Sequence, residues 1–173
     1  MIKTVEIVSL SSGIIGEERL KSMGLQVKYS KNALKGIGYL SDHPEARAAD
    51  LLEAYADPDV DMILCAIGGD NTYRLLPYLF ENDELKKAVN DKVFLGFSDT
   101  TINHLMLHKF GIKTFYGQSF LSDVCELDSE MLPYTRKYFE ELILTGKIKE
   151  IVRAMSGMRK EPPLTRHRSG NPG

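Results

Sequence analysis

The residues of this sequence best suited to chemistry follow a short apolar run. Residues 60–67 are apolar apart from one aspartate and lead into the turn Gly68-Gly69-Asp70-Asn71-Thr72. Glycines at such a corner allow a sharp turn and leave amide groups uncovered by side chains. A hydroxyl at the start of the next helix can then face a substrate while nearby amides hold an oxyanion, as in a nucleophile elbow. The pattern predicts Thr72 as a candidate nucleophile.

The same turn has two other interpretations. Thr72 can simply cap the helix while the glycines make the turn, and spacing alone favours this structural interpretation because short motifs are weak signals. The turn also resembles Gly-Gly-Asp-Gly-Thr, the phosphate-binding motif of NAD kinases and lipid kinases. Asn71 stands where that motif has glycine, and its side chain would obstruct the close approach of phosphates. A nucleotide kinase is therefore a minor alternative.

A second polar turn, Ser98-Asp99-Thr100-Thr101, follows the apolar run at residues 92–97. Ser98 and Asp99 are candidates both for capping the next helix and for shaping a pocket, because one side chain can do both. Arg74 is a candidate for pairing with a substrate carboxylate. A solvated helix arginine is the more ordinary role for it.

Other side chains that bind metals or nucleic acids give weaker signals. His104 and His108 are four residues apart, a spacing that suits a metal, but no third ligand is evident. We therefore predict no metal site and expect solvated or capping histidines. The basic tail at residues 159–168 lacks interleaved aromatic residues and does not indicate a nucleic-acid-binding arm.

Composition limits the class of protein. A chain of 173 residues with 43% hydrophobic and 27% charged residues is typical of one globular domain. A net charge of −2 creates no field that attracts nucleic acid or an anionic membrane. No apolar run approaches the roughly 20 residues that span a bilayer. Cys65 and Cys125 do not form a disulfide framework or a zinc site, and Cys65 is expected to be a small buried hydrophobe. We expect a cytoplasmic location.

Strands and helices that alternate along the chain must position the two turns. Strands are predicted at residues 3–10, 25–29, 60–67, 92–97 and 113–116. Helices are predicted at residues 19–23, 41–57, 72–80, 98–110 and 132–144, with a loop at 36–40. This α/β alternation predicts a mostly parallel sheet flanked by helices, flavodoxin-like or amidotransferase-like. Ligands of such sheets gather beyond the carboxyl ends of the strands, where both turns lie.

Several motifs, taken together, resemble the LD-carboxypeptidases and the microcin C immunity proteins. In chain order they are Tyr39-Leu40, Glu45-Ala46-Arg47-Ala48-Ala49-Asp50-Leu51, Asp57-Pro58-Asp59-Val60-Asp61, Gly68-Gly69, Arg74-Leu75-Leu76-Pro77 and Gly96-Phe97-Ser98-Asp99-Thr100-Thr101. The likeness covers about residues 2–150. The segment from Tyr73 to Tyr78 and the run Tyr116-Gly117-Gln118 favour the immunity-type branch.

The resemblance implies a Ser-His-Glu hydrolase without a metal or other cofactor. Its substrates are peptides with a free C-terminus, either muropeptides cut between L- and D-residues or microcin-like peptidyl nucleotides. It places the nucleophile at Thr72, where the family has serine. It gives as oxyanion and substrate-binding candidates Gly68, Gly69, Asn71, Tyr73, Arg74, Ser98, Asp99 and Gln118. A homodimer is also implied, whereas nucleic acid and membrane are not expected partners.

The chain departs from the family in three respects. Threonine replaces serine at position 72, and the first crossover, between residues 11 and 25, is short. The glutamate and histidine of the family come from a second, C-terminal domain. We expect residues 1–150 to form the N-terminal domain, residues 151–173 to be a disordered tail, and the chain to be weakly active or inactive without a separate C-terminal half. A non-catalytic α/β ligand-binding domain is the alternative.

Overall fold

The computed structural model describes residues 1–8, 17–125 and 130–154. Its strands are β1 (Thr4–Val8), β2 (Gln26–Tyr29), β3 (Met62–Cys65), β4 (Val93–Gly96) and β5 (Thr114–Tyr116). Its helices are α1 (Glu18–Ser22), α2 (Ile37–Asp42), α3 (Pro44–Ala56), α4 (Leu76–Phe80), α5 (Glu84–Ala88), α6 (Thr101–Lys109) and α7 (Pro133–Thr145). Residues 11–16 of the predicted first crossover, and the part of the predicted disordered tail beyond residue 154, lie outside the described residues. Residues 151–154 of that tail are described, and the carbonyl and amide of Val152 bond to the hydroxyls of Tyr134 and Tyr138.

The five strands form one parallel sheet in the order β2-β1-β3-β4-β5. Leu64 of β3 pairs with Leu95 of β4, and Gly96 pairs with Tyr116 of β5. Parallel strands end at the same edge, so the turns after β3 and β4 lie next to each other. The predicted α/β architecture with a parallel sheet is confirmed.

Helices cover both faces of the sheet, and this explains the continuous apolar character of the strands. Alternate residues of β3 point to opposite sides. On the side of α1 and α7 the core includes Val5, Ile7, Met62, Leu64, Leu95, Leu20, Phe139 and Leu142. On the side of α3 to α6 it includes Val8, Ile63, Cys65, Phe94, Leu51, Leu79, Leu85 and Leu107. Cys65 is fully buried, as predicted, and burial raises the pKa of its thiol.

A carboxyl group on β1 is buried beside this core. Glu6 of β1 lies between two buried apolar residues and is only 7% exposed. Burial, assisted by the nearby charge of Asp57, raises the pKa of its carboxyl to about 7. The carboxyl of Glu6 therefore titrates near neutral pH although it is buried in the fold.

Two local predictions were wrong. Residues 36–40, predicted as a loop because of two glycines, belong largely to α2, in which the side chain of Leu40 is fully buried. The predicted helix at 72–80 divides into a 3₁₀ turn, Thr72–Leu75, and α4. Pro77 lies in the first turn of α4 and has no amide to continue a helix from the preceding turn.

The described part of the chain contains no helix long and apolar enough to cross a bilayer.

Candidate functional site

The turns after β3 and β4 pack directly against each other. Gly68 is buried, and a Cβ atom added to it would lie 2.7 Å from the Cβ of Ser98 and 2.9 Å from its Oγ. Neither Gly68 nor Gly69 has a positive φ angle. Gly68 is therefore needed for close approach of the second turn, and not for the sharp backbone angle that its sequence context predicted.

A single carboxylate oxygen joins the two turns. Oδ2 of Asp99 accepts hydrogen bonds from the amide of Asn71 at 3.1 Å and from the amide of Thr72 at 2.9 Å. It also accepts from Oγ1 of Thr72 at 2.6 Å. Charge-assisted bonds of this kind are stronger than bonds between neutral groups. Asp99 thus fixes both the backbone and the hydroxyl of the residue predicted to be the nucleophile.

The environment of Thr72 differs from that of a nucleophile elbow. The residue is fully buried, and its hydroxyl donates to Asp99 instead of capping the helix. Its backbone is not in the left-handed region. Left-handed backbone, which is strained for any residue but glycine, occurs instead at Ser98 on the other side of the site. The φ of Ser98 is 61°, and its amide donates to the hydroxyl of Tyr116 at 3.0 Å.

Capping does not account for Ser98 and Asp99. The 3₁₀ turn Ser98–Thr100 and helix α6 begin without a side-chain cap. The side chain of Asp99 reaches the other turn instead, across 27 residues of sequence. Two adjacent strands and a close glycine contact are needed to bring it there.

The side chain of Asn71 is held by the protein on both sides. Its Oδ1 accepts a 2.7 Å hydrogen bond from Nη1 of Arg47, and its Nδ2 donates to Oγ of Ser41 at 3.2 Å. Arg47 projects from α3 and is fully buried. Burial and the nearby Arg74 lower the pKa of Arg47. A guanidinium nevertheless stays charged at neutral pH because its ordinary pKa is so high.

Arg47 and Ser41 are absent from the residues predicted from the sequence. A signal for Arg47 exists, because it shares the buried face of α3 with Leu51 and Ala54 at positions i, i+4 and i+7. A charged residue on an otherwise apolar helical face needs a buried partner. The sequence alone does not identify that partner.

The remaining predicted residues surround the turns or lie apart from them. Tyr73 is 58% exposed, and Arg74 donates to the carbonyl of Ser41. Gly69 is exposed at the outer surface of the first turn. Gln118 lies beyond β5, where its amide donates to the carbonyl of Thr135 at 3.0 Å. The structure therefore brings every candidate except Gln118 to the two turns or their rim.

His104 is structural, and the prediction of a solvated or capping histidine was wrong. It is only 8% exposed, with Nδ1 2.7 Å from Oγ1 of Thr114 and Nε2 3.2 Å from the carbonyl of Gly96. Burial lowers its pKa, so the ring is neutral near pH 7. The Nε2–H form donates to Gly96 and accepts from Thr114, and it supports β4 below the second turn. No group of three metal-ligating side chains occurs among residues 1–8, 17–125 and 130–154.

Residues 5–117 match the LD-carboxypeptidase N-terminal domain. This chain belongs to the LD-carboxypeptidase family. A relative within it is the probable murein peptide carboxypeptidase of Bacillus subtilis, 35% identical over 124 residues, which cover 71% of this chain and 37% of the relative. Another is the microcin C7 self-immunity protein MccF of Escherichia coli, 35% identical over 107 residues, which cover 61% and 30%.

Solved structures support the same LD-carboxypeptidase assignment. An MccF-like protein from Streptococcus pneumoniae, crystallised in complex with AMP, is 62% identical with a TM-score of 0.84. The match covers 86% of this chain and 46% of that protein. The chain thus spans less than half the length of the relatives it matches. The family resemblance stated from the sequence motifs is confirmed.

Proposed function

We propose that this chain supplies the nucleophile-bearing half of a serine-type carboxypeptidase in which Thr72 takes the place of the serine. The observation that carries the proposal is the 2.6 Å bond between Thr72 and Asp99 at the carboxyl edge of the sheet. It orients a hydroxyl and its amide beside an exposed glycine turn, within a family of carboxypeptidases.

The proposed reaction is attack of Oγ1 of Thr72 on the carbonyl carbon of the amide that joins the acyl part of the substrate to its C-terminal leaving group. The C–N bond breaks, the leaving nitrogen departs with the proton that a base has removed from Thr72, and water then hydrolyses the ester formed on Oγ1. The amides of Asn71 and Thr72 are committed to Asp99, so they do not bind the oxyanion. The amides of Gly69 and Asp70 form no hydrogen bond within the described residues, and we assign them to that role. Thr72 must leave Asp99 to attack, because a buried hydroxyl held by a carboxylate is out of reach of substrate.

A hydroxyl is a weak nucleophile near neutral pH and needs a base. His104 is buried between Gly96 and Thr114, and His43 lies 2.8 Å from Glu45 at the start of α3. Within the described residues, no hydrogen bond connects either imidazole to Thr72. We therefore propose that the base and its acid partner come from a C-terminal half corresponding to the part of the relatives that this chain does not span.

The proposed substrate is a peptidyl nucleotide in preference to a muropeptide. The 62% identical relative was crystallised with AMP, and MccF itself was crystallised with aspartyl sulfamoyl adenosine. Arg74 and the exposed ring of Tyr73 lie at the rim, where a carboxylate or a planar base would arrive. We also propose a cytoplasmic location, since two cysteines do not make a disulfide framework, and a homodimer.

The test is hydrolysis of a microcin-type peptidyl nucleotide and of an LD-linked muropeptide. The 173-residue chain is assayed alone and mixed with the separately produced C-terminal half of the Streptococcus pneumoniae relative. Thr72→Ala should abolish turnover, Thr72→Ser should retain or increase it, and Thr135→Ala on α7 is the matched control. Turnover by the mixture that survives Thr72→Ala would overturn the assignment of the nucleophile.

A second candidate is a non-catalytic ligand-binding domain, and the complete burial of Thr72 favours it. In that case the chain binds AMP by calorimetry without turnover in any mixture, and Thr72→Ala leaves the affinity unchanged. The nucleotide-kinase alternative is weakened by the family assignment and by the side chain of Asn71, which is fixed at the position where that motif has glycine.

A further inference from the structure

We propose that Arg47 is a positioning residue that sets the geometry of Thr72 by acting through Asn71. Its catalytic consequence rests on the proposed function, but its structural consequence does not. Within the described residues, the hydrogen bonds that connect Arg47 to the first turn are made with Asn71, the residue before the proposed nucleophile.

Arg47 contacts Asn71 through two hydrogen bonds. Nη1 of Arg47 donates to the side-chain oxygen of Asn71 at 2.7 Å, and Nη2 lies 3.4 Å from its carbonyl oxygen. Because Arg47 is fully buried, its charge is shielded from water and depends on such partners. A planar guanidinium can hold a side chain and a backbone carbonyl together, which a lysine ammonium or a single amide cannot do in the same geometry.

Asn71 connects Arg47 to the hydroxyl. Its carbonyl and Oδ1 face Arg47, its Nδ2 donates to Ser41, and its amide donates to Asp99. The peptide that joins Asn71 to Thr72 is consequently fixed at both ends. The next amide and the hydroxyl, both of Thr72, then meet the same oxygen of Asp99. A buried cation and a carboxylate thus hold one peptide between them, and such polar networks act cooperatively.

This arrangement also explains why an asparagine follows the glycines and the aspartate. Asn71 offers an acceptor to Arg47 and a donor to Ser41 at the same time. Aspartate lacks the donor and glycine lacks both groups. The residue is an internal connector, and its side chain is not available for a substrate.

The first experiment measures amide hydrogen exchange by NMR in the 173-residue chain. In Arg47→Gln we expect the amides of Asn71 and Thr72 to exchange about tenfold faster or more, as for loss of one hydrogen bond's protection. Arg47→Lys should show a smaller increase. The amide of Ala66, which bonds to the carbonyl of Val8 within the sheet, should be unchanged.

The control is Arg136→Gln, an exposed arginine on α7 that bonds to Glu140 of the same helix, which should leave both exchange rates at their wild-type values. If Arg47→Gln does not fold, Asn71→Ala removes the connector while leaving Arg47 in place and should expose the Thr72 amide to the same degree. Wild-type exchange at Thr72 in a folded Arg47→Gln or Asn71→Ala protein would overturn the proposal.

A kinetic measurement separates this role from simple structural support. In the mixture that hydrolyses peptidyl nucleotide, Arg47→Gln should lower kcat about tenfold or more with KM little changed, because misplacement of a reacting group costs rate. Arg47→Lys should restore part of kcat. An equal loss in both variants, or a loss confined to KM, would contradict the positioning role. If wild type gives no turnover, the proposed function fails while the exchange experiment still decides the role of Arg47.

Discussion

Thr72 and Asp99 are joined by two hydrogen bonds to one carboxylate oxygen, from the hydroxyl at 2.6 Å and from the amide at 2.9 Å. The two residues follow neighbouring parallel strands, and their bonds connect the ends of β3 and β4. The position of the candidate nucleophile is therefore determined by the turn after the next strand as much as by its own turn.

Replacing Asp99 with asparagine should destabilise the fold as well as the site. The substitution keeps the size of the side chain but removes the charge that three donors share. We expect the free energy of unfolding to fall by about 1–3 kcal/mol, measured by urea denaturation. Asp42→Asn, at an exposed position of α2, should change it by less than about 0.5 kcal/mol. Equal stabilities for the two variants would show that the Asp99 bonds contribute nothing to folding.

Gly68→Ala tests the close approach of the turns. The new methyl group would meet the Cβ of Ser98 at 2.7 Å, so we expect a loss of about 1–3 kcal/mol. Gly38→Ala is the matched control: nothing lies within 4 Å of its added Cβ, and it lies inside α2. It should be neutral or stabilising by up to about 1 kcal/mol. Thermal and urea unfolding measure the stability of both variants. A similar loss of stability in Gly68→Ala and Gly38→Ala would contradict the close approach of the turns.

Ser98→Gly should rescue Gly68→Ala. It removes the Cβ and Oγ that the new methyl group meets, and it places glycine at a φ of 61°, which serine adopts at some cost. The double variant should recover most of the stability lost by Gly68→Ala. A strictly additive double-mutant cycle would mean that the two side chains do not meet.

Glu6→Gln should change how stability depends on pH. The folded-state pKa of about 7 lies above the ordinary value of 4.5, so the folded protein holds this proton more tightly than the unfolded chain. The contribution of this group to the free energy of unfolding should therefore fall by roughly 3 kcal/mol as the pH rises from about 4.5 to 7, and then stay constant. Urea midpoints across this range should show a smaller fall in Glu6→Gln, whereas the exposed Glu53→Gln should follow wild type.

His104 should act in the opposite direction. Burial lowers its pKa below the ordinary 6.5, so the unfolded chain takes up a proton before the folded protein does. Its contribution is complete above pH 6.5 and is lost as the pH falls below that value. His104→Gln should weaken this acid dependence of the urea midpoint. His108→Gln, on the exposed side of the same helix, should not, and an identical acid dependence in both variants would contradict the buried neutral ring.

The sheet and the location of the site are predictable from the sequence because they depend on local signals. Apolar runs of four to eight residues specify buried strands, and parallel strands bring the turns that follow them to one edge. The family motifs lie on those same turns. The helix at residues 37–42 is not predictable in this way, since Gly36 and Gly38 suggest a loop until Leu40 is seen to be buried.

The contacts within the site depend on tertiary packing, and no periodicity encodes them. Asp99 reaches Thr72 across 27 positions, and Arg47 reaches Asn71 across 24. Glycine is needed at position 68 because the side chain of Ser98 lies so close to it. The sequence of the first turn alone predicts a different reason, a sharp backbone angle. The buried ring of His104 likewise depends on a hydrogen bond to Thr114, which lies in the next strand.

The contact between Gly68 and Ser98 decides what a protein engineer would have to transplant in order to move this site to another scaffold. The five-residue segment from Gly68 to Thr72 is not portable by itself, because it would arrive without the carboxylate and the guanidinium that hold it. The smallest portable unit consists of both turns on adjacent parallel strands, together with one arginine on the preceding helix. A host that lacks any of these parts would receive the motif without its geometry.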